Sequence, residues 1–255
     1  MSLSIKGGFK PWTGAVKAGD LSETQSGSSD PHFSNVSLLI QANGNVGTSA
    51  FADSSQTNLP LSVVGTPVIS DTQSKFNGKS IYFDGSSAII GELTAANHFP
   101  AGQDYTIEFW LYRIGGDYAS GIGDYGGTSG FMAFSDGSST YYAQHFAPGG
   151  SASRYWSIFD SSPTNTWTHF ALVNQGDVKS AYRDGTLVGT ASYNVAGPLA
   201  NGTNFIYVGC GDYYYTNNTS TPNPHYYTTG YIDQYRITNG VARYTENFTP
   251  PTEAF

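Results

Sequence analysis

From Asn35 onward, apolar residues never recur at helical spacing for as many as three turns. The chain is cut instead into short apolar runs by Gly, Asn-Gly and Asp-Gly. Such punctuation leaves little room for anything but strands. "DYTIEFWLYRI" carries the pattern most plainly. Tyr105, Ile107, Phe109 and Leu111 fall on one face of an extended chain, and Thr106, Glu108, Trp110 and Tyr112 on the other. Both faces bear large groups, so both should be covered. "NVSLLIQANG", "PLSVVGTPVIS" around Gly65, and "KSIYFDGSSAIIGE" with a turn near Asp84-Gly85 read the same way. So do "FMAFSD", "YYAQHFA", "YWSIFD", "NFIYVGCG" and "YIDQYRIT". "TWTHFALVNQGDVKSAYRDGTLVGTASYN" reads as three strands in a meander, turning at Gln175-Gly176-Asp177 and Asp184-Gly185. "GGDYASGIGDYGGTSG" and "DYYYTNNTSTPNPHYYTTG" read as loops. About a dozen strands at this spacing predict an all-β fold: a two-sheet antiparallel β-sandwich of the jelly-roll kind.

Residues 1–33 lack this texture. They are rich in Gly and Ser, with Ile5, Phe9, Trp12 and Val16 set among them. They read as an extended N-terminal arm before a sandwich domain at residues 34–255, either ordering against a partner or the domain's flank, or staying disordered. The balance of 11 Lys and Arg against 19 Asp and Glu gives a net charge of −8, with the basic residues scattered. That argues against a nucleic-acid partner, which needs a concentrated basic face. No apolar run approaches the ~20 residues of a membrane span, and the N-terminus has no apolar signal core. Cys210, the single cysteine, cannot form an intrachain disulfide and reads as a small buried hydrophobe.

Four stretches occur in a telling order: "SIYFDG", "DYTIEFWLY", "WTHFALVNQGDVKSAYRDGTLVGT" and "GYIDQYRITNGVARYTENFTPP". Together they resemble the laminin-G-like domains of the concanavalin A-like lectin/glucanase superfamily, over about residues 34–255. The ending, "GVARYT" followed by "NFTPP", is similar to the version common in tailed-phage virion proteins. The resemblance implies that the first and last strands of the sandwich lie side by side, "YIDQYRIT" near "VSLLIQ". The tail would then run back along the sandwich, with Tyr244 and Phe248 packed on its flank and Pro250 and Pro251 blocking further strand addition.

Two loops carry the residue types that recognise sugars. One holds Asp117, Tyr118, Asp124 and Tyr125; the other holds Asp212, Tyr213, Tyr214, Tyr215, Tyr226 and Tyr227. Tyrosine offers a flat apolar face and a hydroxyl at low entropic cost. The alternative is that these rings pack the loops or a subunit interface. Many laminin-G-like domains carry calcium on such a rim, which would fall here to Asp117, Asp124 and Asp212. The plainer reading of these residues is turn-forming Asp beside Gly. Catalysis is not expected. Glycoside hydrolysis needs two carboxyls flanking the bond, whereas Glu108 and Asp233 stand alone on their strands, each needing hydrogen-bond or Arg113 or Arg236 partners. The five histidines lie far apart, and no Gly-x-Ser-x-Gly elbow is present.

The expectation is a non-enzymatic virion structural protein: a head decoration, appendage or tail-fibre component made in the host cytoplasm. It reads as a complete chain without a shaft, anchored to other virion proteins by its arm. A homo-oligomer, it would touch host-surface glycan through the sandwich, with many copies raising avidity. The alternatives are a free lectin module and, further off, a glycoside hydrolase.

Overall fold

Seventeen strands are found among the described residues of the computed structural model, which are 30–93, 103–116, 118–124, 130–135, 141–146, 153–159, 163–192, 204–212, 224–225 and 227–255. One sheet runs β13 (Thr186–Ser192), β12 (Val178–Arg183), β11 (Trp167–Gln175), β6 (Tyr105–Gly116), β17 (Thr228–Asn239), β4 (Ser80–Asp84) and β3 (Val68–Ser70). In that sheet β1 (Val36–Ile40) also pairs with β17. The second runs β10 (Ser153–Phe159), β9 (Tyr141–Phe146), β8 (Gly130–Ser135), β7 (Tyr118–Asp124), β14 (Asn204–Val208), β5 (Ala88–Leu93) and β2 (Leu61–Val64). A small ladder joins β15 (Gly211–Asp212) to β16 (Pro224–His225). Every pairing is antiparallel. The all-β sandwich and the meander β11–β12–β13 are as expected.

The core lies between the sheets. Tyr105, Ile107, Phe109 and Leu111 of β6 meet Ile89 and Leu93 of β5 and Ile206 and Val208 of β14 in one buried cluster. Phe109 stacks on Phe170 and on Tyr235, ring centroids 5.5 Å apart in both pairs. In β17, strict alternation would put Ile232, Gln234 and Arg236 on one face. Instead the core takes Ile232, Tyr235 and Ile237. A bulge between Asp233 and Arg236 shifts the register, and Gln234 adopts φ 53°. One extra residue flips every side chain after it. Gln234 is held there by donors: the Gln41 side-chain amide and the Phe255 backbone N–H both reach its Oε1.

Two expectations change. The turn at Asp84-Gly85 does not close a hairpin, and the bend at Gly65 between two short β pieces is of the same kind. They carry the chain from one sheet to the other, since β4 and β3 belong to the first sheet and β5 and β2 to the second. A turn dipeptide fixes a local bend (φ is +87° at Gly85 and +65° at Gly65) but not which strands pair. The glycine-rich stretch after β6 is not all loop either. Residues 118–124 form β7, between β8 and β14. Low strand propensity is overridden because both neighbours supply ladder partners.

The last strand does lie beside the first: Leu38 pairs with Ile237, Leu39 with Arg236 and Ile40 with Tyr235. The tail then folds over the outer face of the first sheet. The Gly240 N–H donates to the Asp104 carbonyl, the Arg243 N–H to Thr106 Oγ1, and the Phe248 N–H to the Gly185 carbonyl. Ala242, Tyr244 and Phe248 pack on Ala171, Val173 and Tyr182. The tail crosses so close to the β12–β13 turn that a Cβ on Gly185 would lie 1.8 Å from the Phe248 carbonyl oxygen. Gly176, in the preceding turn, also has positive φ but open space around it. Gly176→Ala should therefore cost only the ~1–2 kcal/mol of backbone strain. Gly185→Ala is expected to cost at least about 2 kcal/mol more in urea unfolding, because the tail must lift. Equal costs would mean that the contact does not hold the tail.

Candidate functional site

The Tyr118 end of β7 and the start of β15 meet at the end of the sandwich where β6 finishes, whereas Asp124, next to Tyr125 in the sequence, closes β7 at the other end. Gly116 of β6 pairs with Thr228 of β17, and Ser120 of β7 pairs with Val208 of β14. The Tyr118 end of β7 therefore lies beside residues 209–212, and the β15–β16 ladder stands at the same end. The Thr228 N–H donates to the Gly209 carbonyl, and the Gly85 N–H donates to the Thr228 carbonyl, fixing this end to the frame.

Tyr227 is the one expected contact residue whose side chain is described. Its ring packs on the cluster of Ala88, Ile90, Phe205, Tyr207 and Cys210, and its hydroxyl donates to the Pro224 carbonyl at 3.1 Å. Burial and then the neighbouring Cys210 push its phenol pKa up. Tyr227 is thus anchored to this end of the sandwich, with its ring only partly open to solvent. Tyr118, Asp124 and Asp212 are placed by backbone alone. Asp117, Tyr125, Tyr213, Tyr214, Tyr215 and Tyr226 lie outside the described residues.

The backbone divides the expected calcium ligands. Asp124 pairs with Asn204, at the far end of β7 from Tyr118 and the neighbouring Asp212 end of β15. An extended strand of this length spans about 20 Å, far more than two carboxylates bridging one ion at ~2.3–2.6 Å can cover. The backbone thus sets Asp124 and Asp212 at opposite ends of β7, because this glycine-rich stretch is a strand and not a loop. Among the described residues no group of three or more His, Cys, Asp or Glu is placed to hold a metal.

Glu108 is wholly buried on the outer face of β6. Arg236 grips its Oε1 through Nε at 3.0 Å and Nη2 at 2.8 Å. The Tyr244 hydroxyl donates to Oε2 at 2.7 Å, and His169 Nε2 lies 3.3 Å from the same oxygen. Burial pushes the carboxyl up, but Arg236, then His169 and Tyr244, outweigh it and hold it at about 2. For Tyr244, burial and the Glu108 charge push the phenol well above its ordinary range. The Arg236 pairing is among the partners anticipated for this carboxylate. An ionised group sealed from solvent can clamp the tail; it cannot protonate or attack a glycosidic bond, which needs contact with substrate.

Asp233 accepts the Phe76 backbone N–H at 3.0 Å and the Gln234 side-chain amide at 3.2 Å. Burial pushes its carboxyl up to about 6, against the hydrogen bonds from Phe76, Gln234 and Lys75. A raised folded pKa means that the folded chain keeps a proton the unfolded chain has lost. This contribution is complete below the ordinary value of 3.8 and lost as pH rises through about 6. It amounts to about 3 kcal/mol. Asp233→Asn should flatten the decline in stability between those pH values, measured by urea unfolding at several pH values. A variant whose slope matches the parent's would refute the assignment.

A family model described as "Concanavalin A-like lectin/glucanases superfamily" (Laminin_G_3) matches residues 83–246. No curated protein matches the chain. Among solved structures, one similar chain is domain 4 of AbnA, a GH43 extracellular arabinanase from Geobacillus stearothermophilus, in complex with arabinotriose. The TM-score is 0.55 at 16% identity, covering 81% of this chain and 93% of that one. The binding domain of Paraclostridial Mosquitocidal Protein 1 gives 0.57 at 16%, covering 81% and 49%. A botulinum neurotoxin type C structure, whose cell entry depends on interaction with two ganglioside molecules, gives 0.55 at 15%, covering 83% and 49%. The chain spans about half the length of these toxin chains. At such identities the likeness is one of fold.

Proposed function

The chain belongs to the Laminin_G_3 family of the concanavalin A-like lectin/glucanase superfamily, and from that premise we propose that it is a carbohydrate-binding protein without catalytic activity. The observation that carries this reading is the convergence at one end of the sandwich. The Tyr118 end of β7, the β15–β16 ladder and Tyr227 lie at that end on the sandwich frame, and Tyr213, Tyr214 and Tyr215 follow β15 directly in the sequence. Loops on a fixed scaffold are where recognition residues are best held. The arabinotriose-bound arabinanase domain and the ganglioside-dependent neurotoxin support a glycan as ligand. The sealed state of Glu108 supports a binding role over a hydrolytic one.

The sequence ending further supports placing the protein on a phage particle, as a decoration, appendage or tail-fibre component. Its arm would hold other virion proteins and its rim would meet host-surface glycan, in many copies. A glycan array with the purified full chain tests the binding role. Signals should appear and fall at least about tenfold when Tyr213, Tyr214 and Tyr215 are all changed to Ala, the loss of stacking against a sugar face. No signal for the parent chain, or equal signals for the variant, would overturn the rim assignment. Release of reducing sugar that disappears in Glu108→Gln would overturn the non-catalytic reading. An antibody to the chain that fails to label purified particles would overturn the virion placement.

A further inference from the structure

At the opposite end of the sandwich lies a second site. β17 runs twelve residues from Thr228, at the tyrosine-rich end, to Asn239, which pairs with Tyr105 at the start of β6. Beyond Asn239 an open depression of about 330 Å³ is lined by Asn35, Ser37, Gln56, Thr57, Gln103 and Asn239 around Gly240. Its volume is at the lower end of the ~300–1,000 Å³ usual for small-molecule sites. No lining residue is ionisable, and none is aromatic.

The parts are rigidly mounted. A bulge sets Ser37 out of register with β17, and its Oγ is buried without a hydrogen-bond partner among the described residues. Gln56 and Thr57 sit on a turn organised by buried Asp53, whose carboxylate accepts the N–H groups of Leu39, Ser55 and Leu59. The Gln103 carbonyl accepts the Asn174 side-chain amide at 3.0 Å, and the Gly240 N–H donates to the Asp104 carbonyl at 2.7 Å. Asn35 Nδ2 and Gln103 Oε1 each lie 3.6 Å from the point that a Cβ on Gly240 would occupy. A donor and an acceptor thus face the same bare patch of backbone.

We propose that this depression is a second carbohydrate subsite that takes a single uncharged sugar ring. Amide side chains both donate and accept, as do sugar hydroxyls, so a ring of amides and hydroxyls matches a polyol without needing charge. A phosphate or carboxylate ligand would find no counter-charge to offset its desolvation. With no aromatic platform, binding rests on hydrogen bonds and is weak per copy, each contributing modestly. The site stands on its own lining, independent of the tyrosine-rich rim.

The test is a titration of the ¹⁵N-labelled full chain with four neutral methyl glycosides, of glucose, galactose, mannose and arabinose, up to about 100 mM. Methyl glucuronide serves as the charged control. At least one neutral glycoside should shift the Gly240 amide and the side-chain amides of Asn35, Gln56 and Gln103 saturably, and the glucuronide should not. Gln56→Ala and Gln103→Ala, both at exposed positions, should each weaken binding about tenfold with unchanged melting. The triple tyrosine variant should bind here as the parent does, which separates failure of this site from failure of the rim. No saturable shift from any of the four, equal binding of the glucuronide, or unchanged affinity in both glutamine variants would overturn the proposal. Contacts from residues 1–29 filling the depression that no glycoside displaces would overturn it too.

Discussion

Deleting residues 241–255 should abolish cooperative unfolding of the sandwich, leaving a chain without a thermal transition or one that aggregates on expression. The tail supplies Tyr244 and Phe248, stacked on one another at 3.5 Å and packed on Tyr182, Ala171 and Val173. Both rings are half-buried, so each carries part of the ~3–5 kcal/mol of a fully buried aromatic side chain, against a whole domain stability of only ~5–15 kcal/mol. The deletion also strips the Tyr244 hydroxyl from Glu108 and the Phe255 ring from the Arg236 guanidinium, which it covers at 3.6 Å. A buried carboxylate would then open to water through its missing lid. Differential scanning calorimetry of the truncated chain decides the matter. A transition within a few degrees of the full chain's would show the tail to be an appendage.

Arg236→Leu is the single substitution expected to do most harm. It leaves Glu108 buried with its principal counter-charge gone, and breaking one side of a buried pair costs about 3–5 kcal/mol. For a domain of this size that lowers the melting temperature by roughly 6–20 °C. The double change Glu108→Leu with Arg236→Met should recover much of the loss, since an apolar pair of similar volume removes both desolvation penalties. The pair also predicts acid sensitivity. Glu108 is held at about 2 against an ordinary 4.5, so its contribution is complete above 4.5 and lost as pH falls through about 2. That contribution, about 3 kcal/mol, should be missing from the double variant. Acid unfolding midpoints that coincide for parent and double variant would contradict it.

The fold was legible wherever one local rule decided an element. β6 alternates without interruption, and both its faces are indeed covered. The meander from Trp167 to Ser192 follows from turn residues at hairpin spacing. Pairing of the first strand with the last came from the resemblance, not from periodicity. What failed was decided at longer range. The glycine-rich run holding β7 has no strand propensity of its own and becomes a strand between two partners. Once it does, Asp124 moves to the far end from Asp212, and the expected calcium set divides. The polar depression was invisible in the sequence because its lining comes from four separated segments, at Asn35–Ser37, Gln56–Thr57, Gln103 and Asn239–Gly240.

The amino-acid sequence by itself determined that this protein is a sandwich of antiparallel strands, because side-chain alternation and turn chemistry act between near neighbours. Only the tertiary structure decided which turns close hairpins and which cross between sheets. It also decided which face the residues after Gln234 present, and which polar groups meet at each end. Those outcomes depend on ladder partners and register contributed by other strands, those of β17 and β14 more than a hundred positions from their partners in β6, β4 and β5, and no local pattern encodes them.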